Sequence, residues 1–160
     1  MRSSRLLPVL LGLVLSAMAA APAAVAAGPS GCRRGNPMAN VRDPSRLRVV
    51  SSCATASGVV RGGDQQHDDD LDLFLTPDRG SAKLLNDGNR RNTRNALLLE
   101  IVPADQPGCR PGHPVRFGTC TGANVRAPKA GTHVTVTGPY VLDKDHGWME
   151  IHPVWRITPG

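Results

Sequence analysis

Asp143-Lys144-Asp145-His146-Gly147-Trp148-Met149-Glu150-Ile151-His152-Pro153-Val154 decides how this chain is read. These twelve residues hold two His, three acids and a Trp, in a chain with 3% aromatic residues. The stretch reads as a turn that feeds a β-strand. Side chains alternate along a strand, so Trp148, Glu150 and His152 share one face while Met149 and Ile151 share the other. An alternating strand this close to the end points to an all-β domain, and the polar face marks a candidate site.

The start of the chain sets the compartment in which the cysteines must be understood. Arg2 and Arg5 precede an almost wholly apolar run, Leu6 to Ala21, and an Ala-rich stretch ends at Ala27. Small residues at Ala24-Val25-Ala26 and Val25-Ala26-Ala27 suit cleavage, so 1–27 is expected to be a secretory signal peptide. No later apolar run is long enough to span a bilayer, so no integral membrane span is expected after cleavage. Removing 27 of 160 residues leaves about 133, which suits one domain. The net charge then falls from +6 to +4, because Arg2 and Arg5 leave with the signal.

Cys32, Cys53, Cys109 and Cys120 make an even count in a chain expected to be secreted, which reads as disulfides. Four cysteines allow three pairings. The sequential pairing Cys32–Cys53 and Cys109–Cys120, enclosing 20 and 10 residues, is favoured. Each bridge is worth about 2–4 kcal/mol, mainly by restricting the unfolded chain. Zinc ligation is disfavoured because no Cys-x-x-Cys pair is present.

Working along the mature chain, 28–46 is rich in Gly, Pro, Arg and Asn and reads as an extended arm tied down at Cys32. A barrel domain is expected over 47–160. Leu47 to Arg61 is β-like, with Gly58 marking a bulge or bend. Asp70 to Thr76 alternates, with Leu71, Leu73 and Leu75 inward. A short helix is expected around Ala82 to Leu85, ended by Asn86-Asp87-Gly88. Ala96 to Val102 is a strand with Leu97, Leu99 and Ile101 on one face. Pro103 to Lys129 is a long Pro- and Gly-rich loop. Thr132 to Thr137, continued by Tyr140 to Leu142, precedes a last strand from Gly147 to Ile157. Five strands, one short helix and long loops predict a small five-stranded OB-like Greek-key barrel, stapled by disulfides. A β-sandwich, the rival, wants about seven strands.

Three stretches carry a resemblance. They are Ser52-Cys53-Ala54-Thr55-Ala56-Ser57-Gly58-Val59-Val60, Val136-Thr137-Gly138-Pro139-Tyr140-Val141-Leu142-Asp143, and His146-Gly147-Trp148-Met149-Glu150-Ile151-His152-Pro153-Val154. Together they resemble a family of uncharacterised secreted bacterial proteins with an OB-like domain. The resemblance covers roughly 46–157, and its His-Gly-Trp-x-Glu-Ile-His-Pro motif is the specific part. It implies an OB-like fold and brings no established activity. In that family the second strand carries Asp-Gly-Asp followed two residues later by His. Here Asp68-Asp69-Asp70-Leu71-Asp72 stands instead, so Asp69 replaces the Gly and Asp72 the His.

On such a barrel, two turns flank the usual ligand face. One holds Asp64, His67, Asp68, Asp69, Asp70 and Asp72, the other Asp143, Asp145 and His146. Seven of the thirteen acids cluster there. Carboxylates repel phosphates, which disfavours nucleic acid on that face, and aromatic stacking platforms are scarce. A divalent cation suits it better, since hard cations want several oxygen ligands. The candidate metal ligands are Asp70, Asp72, His146, Glu150 and His152. Asp68, Asp143, Asp145 and Trp148 complete the candidate ligand face. The competing account is a solvated acidic turn, with the His and Glu side chains hydrogen-bonding across strands. Arg90, Arg91 and Arg94 form a basic patch suited to an anionic wall polymer or to simple solvation.

No nucleophile elbow or phosphate loop stands out. The sequence therefore favours a secreted, non-catalytic binding module of unknown ligand over an enzyme. The alternative is a metal-dependent secreted hydrolase, most plausibly a nuclease, with Asp70 and Asp72 beside Arg61.

Overall fold

The computed structural model describes residues 31–68, 70–105 and 127–160. The expected signal peptide over 1–27 and the expected Cys109–Cys120 bridge lie outside the described residues. The chain forms β1 (Leu47–Gln65), β2 (Leu71–Pro77), α1 (Asp87–Asn92), β3 (Leu97–Ile101), β4 (His133–Asp143), β5 (Met149–Ile151) and β6 (Arg156–Pro159). Short 3₁₀ turns lie at Pro44–Arg46, Ala82–Leu84 and Pro103–Asp105.

The strands make one sheet that closes on itself. Its order is β1-β2-β3-β5-β4, and β4 pairs back onto β1, so five strands form a ring. All contacts in the ring are antiparallel except β3 with β5, which is parallel. The long β4 shares its second edge between β5, opposite Tyr140 to Leu142, and β6, opposite Val134 to Thr137. Alternation fills the ring: Leu71, Leu73, Leu75, Leu97, Leu99, Ile101, Val134, Val136 and Ile151 form one buried cluster. Fully burying each of these side chains is worth about 1.5–3 kcal/mol.

Several local expectations need correction. Of the bulge or bend expected at Gly58, no bulge is there; Gly58 stands in regular register with Pro77 on β2 and Val134 on β4. A Cβ there would strike the backbone oxygen of Thr76, so a bare backbone is what the close approach requires. The β1–β2 irregularity falls instead between Val60 and Gly63. The short helix expected around Ala82 to Leu85 is the 3₁₀ turn Ala82–Leu84, which ends at Leu85 before Asn86, but Asn86-Asp87-Gly88 also begins a second, unexpected helix, α1. The Asn86 side chain accepts from Asn89 N–H while the Asn89 side chain accepts from Asn86 N–H, a reciprocal cap. The expected last strand is two strands. Pro153, joined to His152 by a cis bond, has no N–H to donate, and the ladder stops at Ile151 before resuming at Arg156.

The arm is not simply extended. Residues 31–46 run through turns and a 3₁₀ turn, and Cys32 is bonded to Cys53 on β1. Met38, Val41 and Leu47 pack on Val141, which faces away from the barrel interior. The arm therefore covers part of the outer wall. Among the described residues, no helix is long and apolar enough to cross a membrane.

Candidate functional site

The site lies on that outer wall, at the arm's edge. Because Leu71, Leu73 and Leu75 point inward, Asp72 points outward, and by the same alternation Leu98 and Glu100 point outward from β3. Strand register does the rest. Asp72 stands opposite Glu100, and Leu98 stands opposite Glu150. Three carboxylates thus form a row across β2, β3 and β5, with His152 just beyond β5.

A cleft of about 370 Å³ opens over this row. The β1–β2 turn supplies His67 and Asp68, the β4–β5 turn supplies His146 and Trp148, and the arm supplies Arg42 and Arg46. Asp72, Glu100, Asp143 and Glu150 also line it. Residues of the two acidic turns line this one cleft.

Hydrogen bonds fix each side chain. Arg46 binds Glu100 Oε1 through Nη2 at 3.5 Å and Asp143 Oδ2 through Nη1. Asp143 is fully buried, and its Oδ1 accepts from the backbone N–H of Asp145 at 2.8 Å and His146 at 3.1 Å. Its Oδ2 also meets His146 Nδ1 at 2.8 Å. His146 stacks flat on Trp148, with centroids 4.4 Å apart. Trp148 Nε1–H donates to Glu150 Oε1 at 2.6 Å. Beneath them, His152 Nδ1 lies 2.9 Å from Glu100 Oε2 and 3.2 Å from Glu150 Oε2. Asp70 bonds to Glu100 from behind. Ligand-capable atoms of Asp70, Glu100 and His152 lie within 4.8 Å of one another, all three residues buried.

Burial and crowding set the protonation states. Burial, and then the negative charge of Glu100, push Asp70 up to about 8. Burial, with Glu100 and Glu150 adding to it, does the same for Asp72, also to about 8. Burial opposes ionising Glu100, yet hydrogen bonds from His152 and then Asp70 outweigh it and hold Glu100 below its ordinary value. Within that pair, burial and the charge of Glu100 oppose ionising Asp70, while His152 favours ionising Glu100. Burial alone would lower His152, but its hydrogen bonds to Glu100 and Glu150 raise it to about 10. His152 is therefore the internal counterion of the row. Its Nε2, and Asp72 Oδ1, are buried without a hydrogen-bond partner among the described residues.

Of the candidate metal ligands, Asp72, His146 and Glu150 line the cleft, while Asp70 and His152 sit buried behind it. Asp68 and Trp148 line it as expected, as does Asp143, although Asp143 is already engaged by Arg46 and His146. Asp145 is exposed and outside the lining. Arg61 does not join Asp70 and Asp72. It donates instead to the carbonyls of Thr93 at 2.6 Å and Arg94 at 3.1 Å, on a different cleft.

Sequence reasoning missed Glu100 and Arg46, the two residues that knit the site together. A single acid inside Leu97-Leu98-Leu99-Glu100-Ile101 was the available signal, because a carboxylate in an apolar strand needs a buried partner. A comparison with known proteins finds no family model, curated protein or solved structure that matches this chain.

Proposed function

We propose that the chain is a secreted, non-catalytic binding module on an OB-type Greek-key barrel, whose cleft takes a divalent cation. Closure of β1 onto β4 and the parallel β3–β5 contact support the barrel type. The Cys32–Cys53 bridge supports an oxidising compartment. The observation that carries the cation is the outer-wall row Asp72–Glu100–Glu150, with Asp70 and His152 directly behind it. Crowded carboxylates raise one another's proton affinity, and a cation relieves the same repulsion that protons relieve here. Asp72 and Glu150 would supply oxygens from the cleft side. Glu100 and Asp70 would supply them from the wall; Asp70 and His152 would release their protons on binding, which frees the imidazole to act as a nitrogen ligand.

Binding rather than catalysis is favoured because the basic groups are committed. His152 is wholly buried between two glutamates, and Arg46 is tied to Glu100 and Asp143. Titration calorimetry with calcium and with zinc tests this reading. One ion per chain is expected, with Glu100→Gln and Asp72→Asn each weakening it at least tenfold. No heat with either ion refutes it.

The metal-dependent hydrolase, most plausibly a nuclease, has one observation in its favour. Arg46 brings a guanidinium to an acid-lined cleft, the pairing that charge stabilisation in phosphodiester hydrolysis needs. Metal-dependent cleavage of DNA or RNA that chelator abolishes and Arg46→Ala reduces a hundredfold would establish it.

A further inference from the structure

A second cleft, of about 500 Å³, differs in chemistry from the acidic row. Its walls include Arg61, Gly62 and Asp64 at the end of β1, Phe74 on β2, Asn92 at the end of α1, and Arg94 just past it. Two backbone irregularities converge there. The extra residue between Val60 and Gly63 puts Gly62 at φ +137°, a conformation closed to most side chains, and bulges of this kind re-aim their neighbours. Opposite, Arg94 and Asn95 are consecutive left-handed residues, at φ +55° and +60°. Asn tolerates that region. Arg does not favour it, and a helix end of this kind ordinarily takes Gly. An arginine kept where glycine would be easier calls for a role of its side chain.

The cations here divide by what they already do. Arg61 is spent in part on capping the carbonyls of Thr93 and Arg94, and Arg90 pairs with Asp87 at 3.2 Å. The exposed guanidiniums of Arg91 and Arg94 make no hydrogen bond or ion pair with another described residue. Four arginines and no lysine gather within this stretch and its cleft, the residue type whose planar fork matches phosphate oxygens. Phe74 is the one aromatic in the lining, too few for a run of stacked bases.

We propose that this cleft and the neighbouring turn of α1 form a docking surface for a phosphodiester polymer without bases, with Arg94 and Arg91 as its phosphate contacts. The surface adjoins the cation cleft, since Asn92 in its wall donates to the His146 carbonyl at 3.5 Å, but its phosphate contacts do not line that cleft beside Asp72 and Glu100. The test is fluorescence anisotropy of a labelled glycerol-phosphate oligomer, at two salt concentrations, beside single-stranded DNA and polyglutamate of matched charge. The expected result is salt-sensitive binding of the glycerol-phosphate oligomer, stronger than that of either comparator. Arg94→Gly should lose about tenfold in affinity while the melting temperature holds or rises, because glycine suits φ +55°. Arg91→Gln should lose a similar factor. Unchanged binding in both variants overturns the proposal. Tighter binding of DNA overturns it in favour of a nucleic-acid surface, and tighter binding of polyglutamate in favour of a carboxylate one.

Discussion

Asn89→Ala is expected to destabilise the protein by about 3–5 kcal/mol, far more than its size suggests. Asn89 is wholly buried in α1. Its Nδ2 donates to the carbonyls of Met149 at 2.9 Å and Ala96 at 3.0 Å, and its Oδ1 accepts from the N–H groups of Met149 at 2.9 Å and Asn86 at 3.2 Å. Four backbone groups lose a partner when the amide goes. Two of them soften the loss: Asn86 lies at the helix start, half-exposed, and the Ala96 carbonyl keeps Thr93 Oγ1. The Met149 N–H is buried and is the group most fully orphaned, while the Met149 carbonyl keeps its place on the β3–β5 ladder. An orphaned buried group costs about 1–3 kcal/mol, and with the two weakened carbonyls and the lost cap it gives the stated range. Met149 begins β5, which carries Glu150, so the damage reaches the site. Urea denaturation followed by Trp fluorescence measures the loss. A change below about 1 kcal/mol refutes the view that Asn89 holds β5 to α1. Asn89→Asp serves as a companion, since it keeps the acceptor but turns an oxygen toward two carbonyls, and should be at least as damaging.

Reducing Cys32–Cys53, or Cys32→Ser, should cost about 2–4 kcal/mol and also weaken cation binding, because the bridge tethers the arm that carries Arg46; thermal melts and calorimetry with and without reductant check both. Trp148→Ala should cost about 2–4 kcal/mol, from lost stacking on His146 and the lost hydrogen bond to Glu150, whereas a parent-like melt with lost ligand would make Trp148 a binding residue only. Stability should fall as pH rises. Asp70 and Asp72 hold protons in the folded state up to about 8 and His152 up to about 10, above their unfolded values near 4 and 6.5, so the folded chain binds more protons across pH 4 to 10. Denaturation midpoints at pH 6 and 9.5 should differ by a few kcal/mol in favour of pH 6, and equal midpoints would show that the row is not protonated as described.

Alternation made the barrel readable from Leu71, Leu73, Leu75 and Leu97, Leu99, Ile101, because a period of two has only one buried solution when one face is leucine. What stayed hidden depends on partners distant in sequence. Asn86-Asp87-Gly88 has the composition of a break, and only Asn89 three residues on turns it into a cap. The last strand divides at Pro153, where the absent N–H outweighs the β-rich flanks. A lone acid in an apolar strand hinted that Glu100 has a buried partner, but only register shows which residues it faces. Arg46 belongs to the arm, and which wall the arm covers is decided by Val141 on a strand nearly a hundred residues later.

The central claim is that the outer-wall row holds a divalent cation, and thermal melting with calcium, zinc or chelator tests it most directly. At a hundredfold excess over its dissociation constant, a bound ion stabilises by about 2.7 kcal/mol, which is on the order of 10 °C for a chain of this size. The account predicts a rise of that order with at least one ion, reversed by chelator and abolished in Glu100→Gln. An unchanged midpoint under all conditions, with no metal found by elemental analysis of the purified protein, would contradict it and leave Asp72, Glu100 and Glu150 as a proton-neutralised structural row.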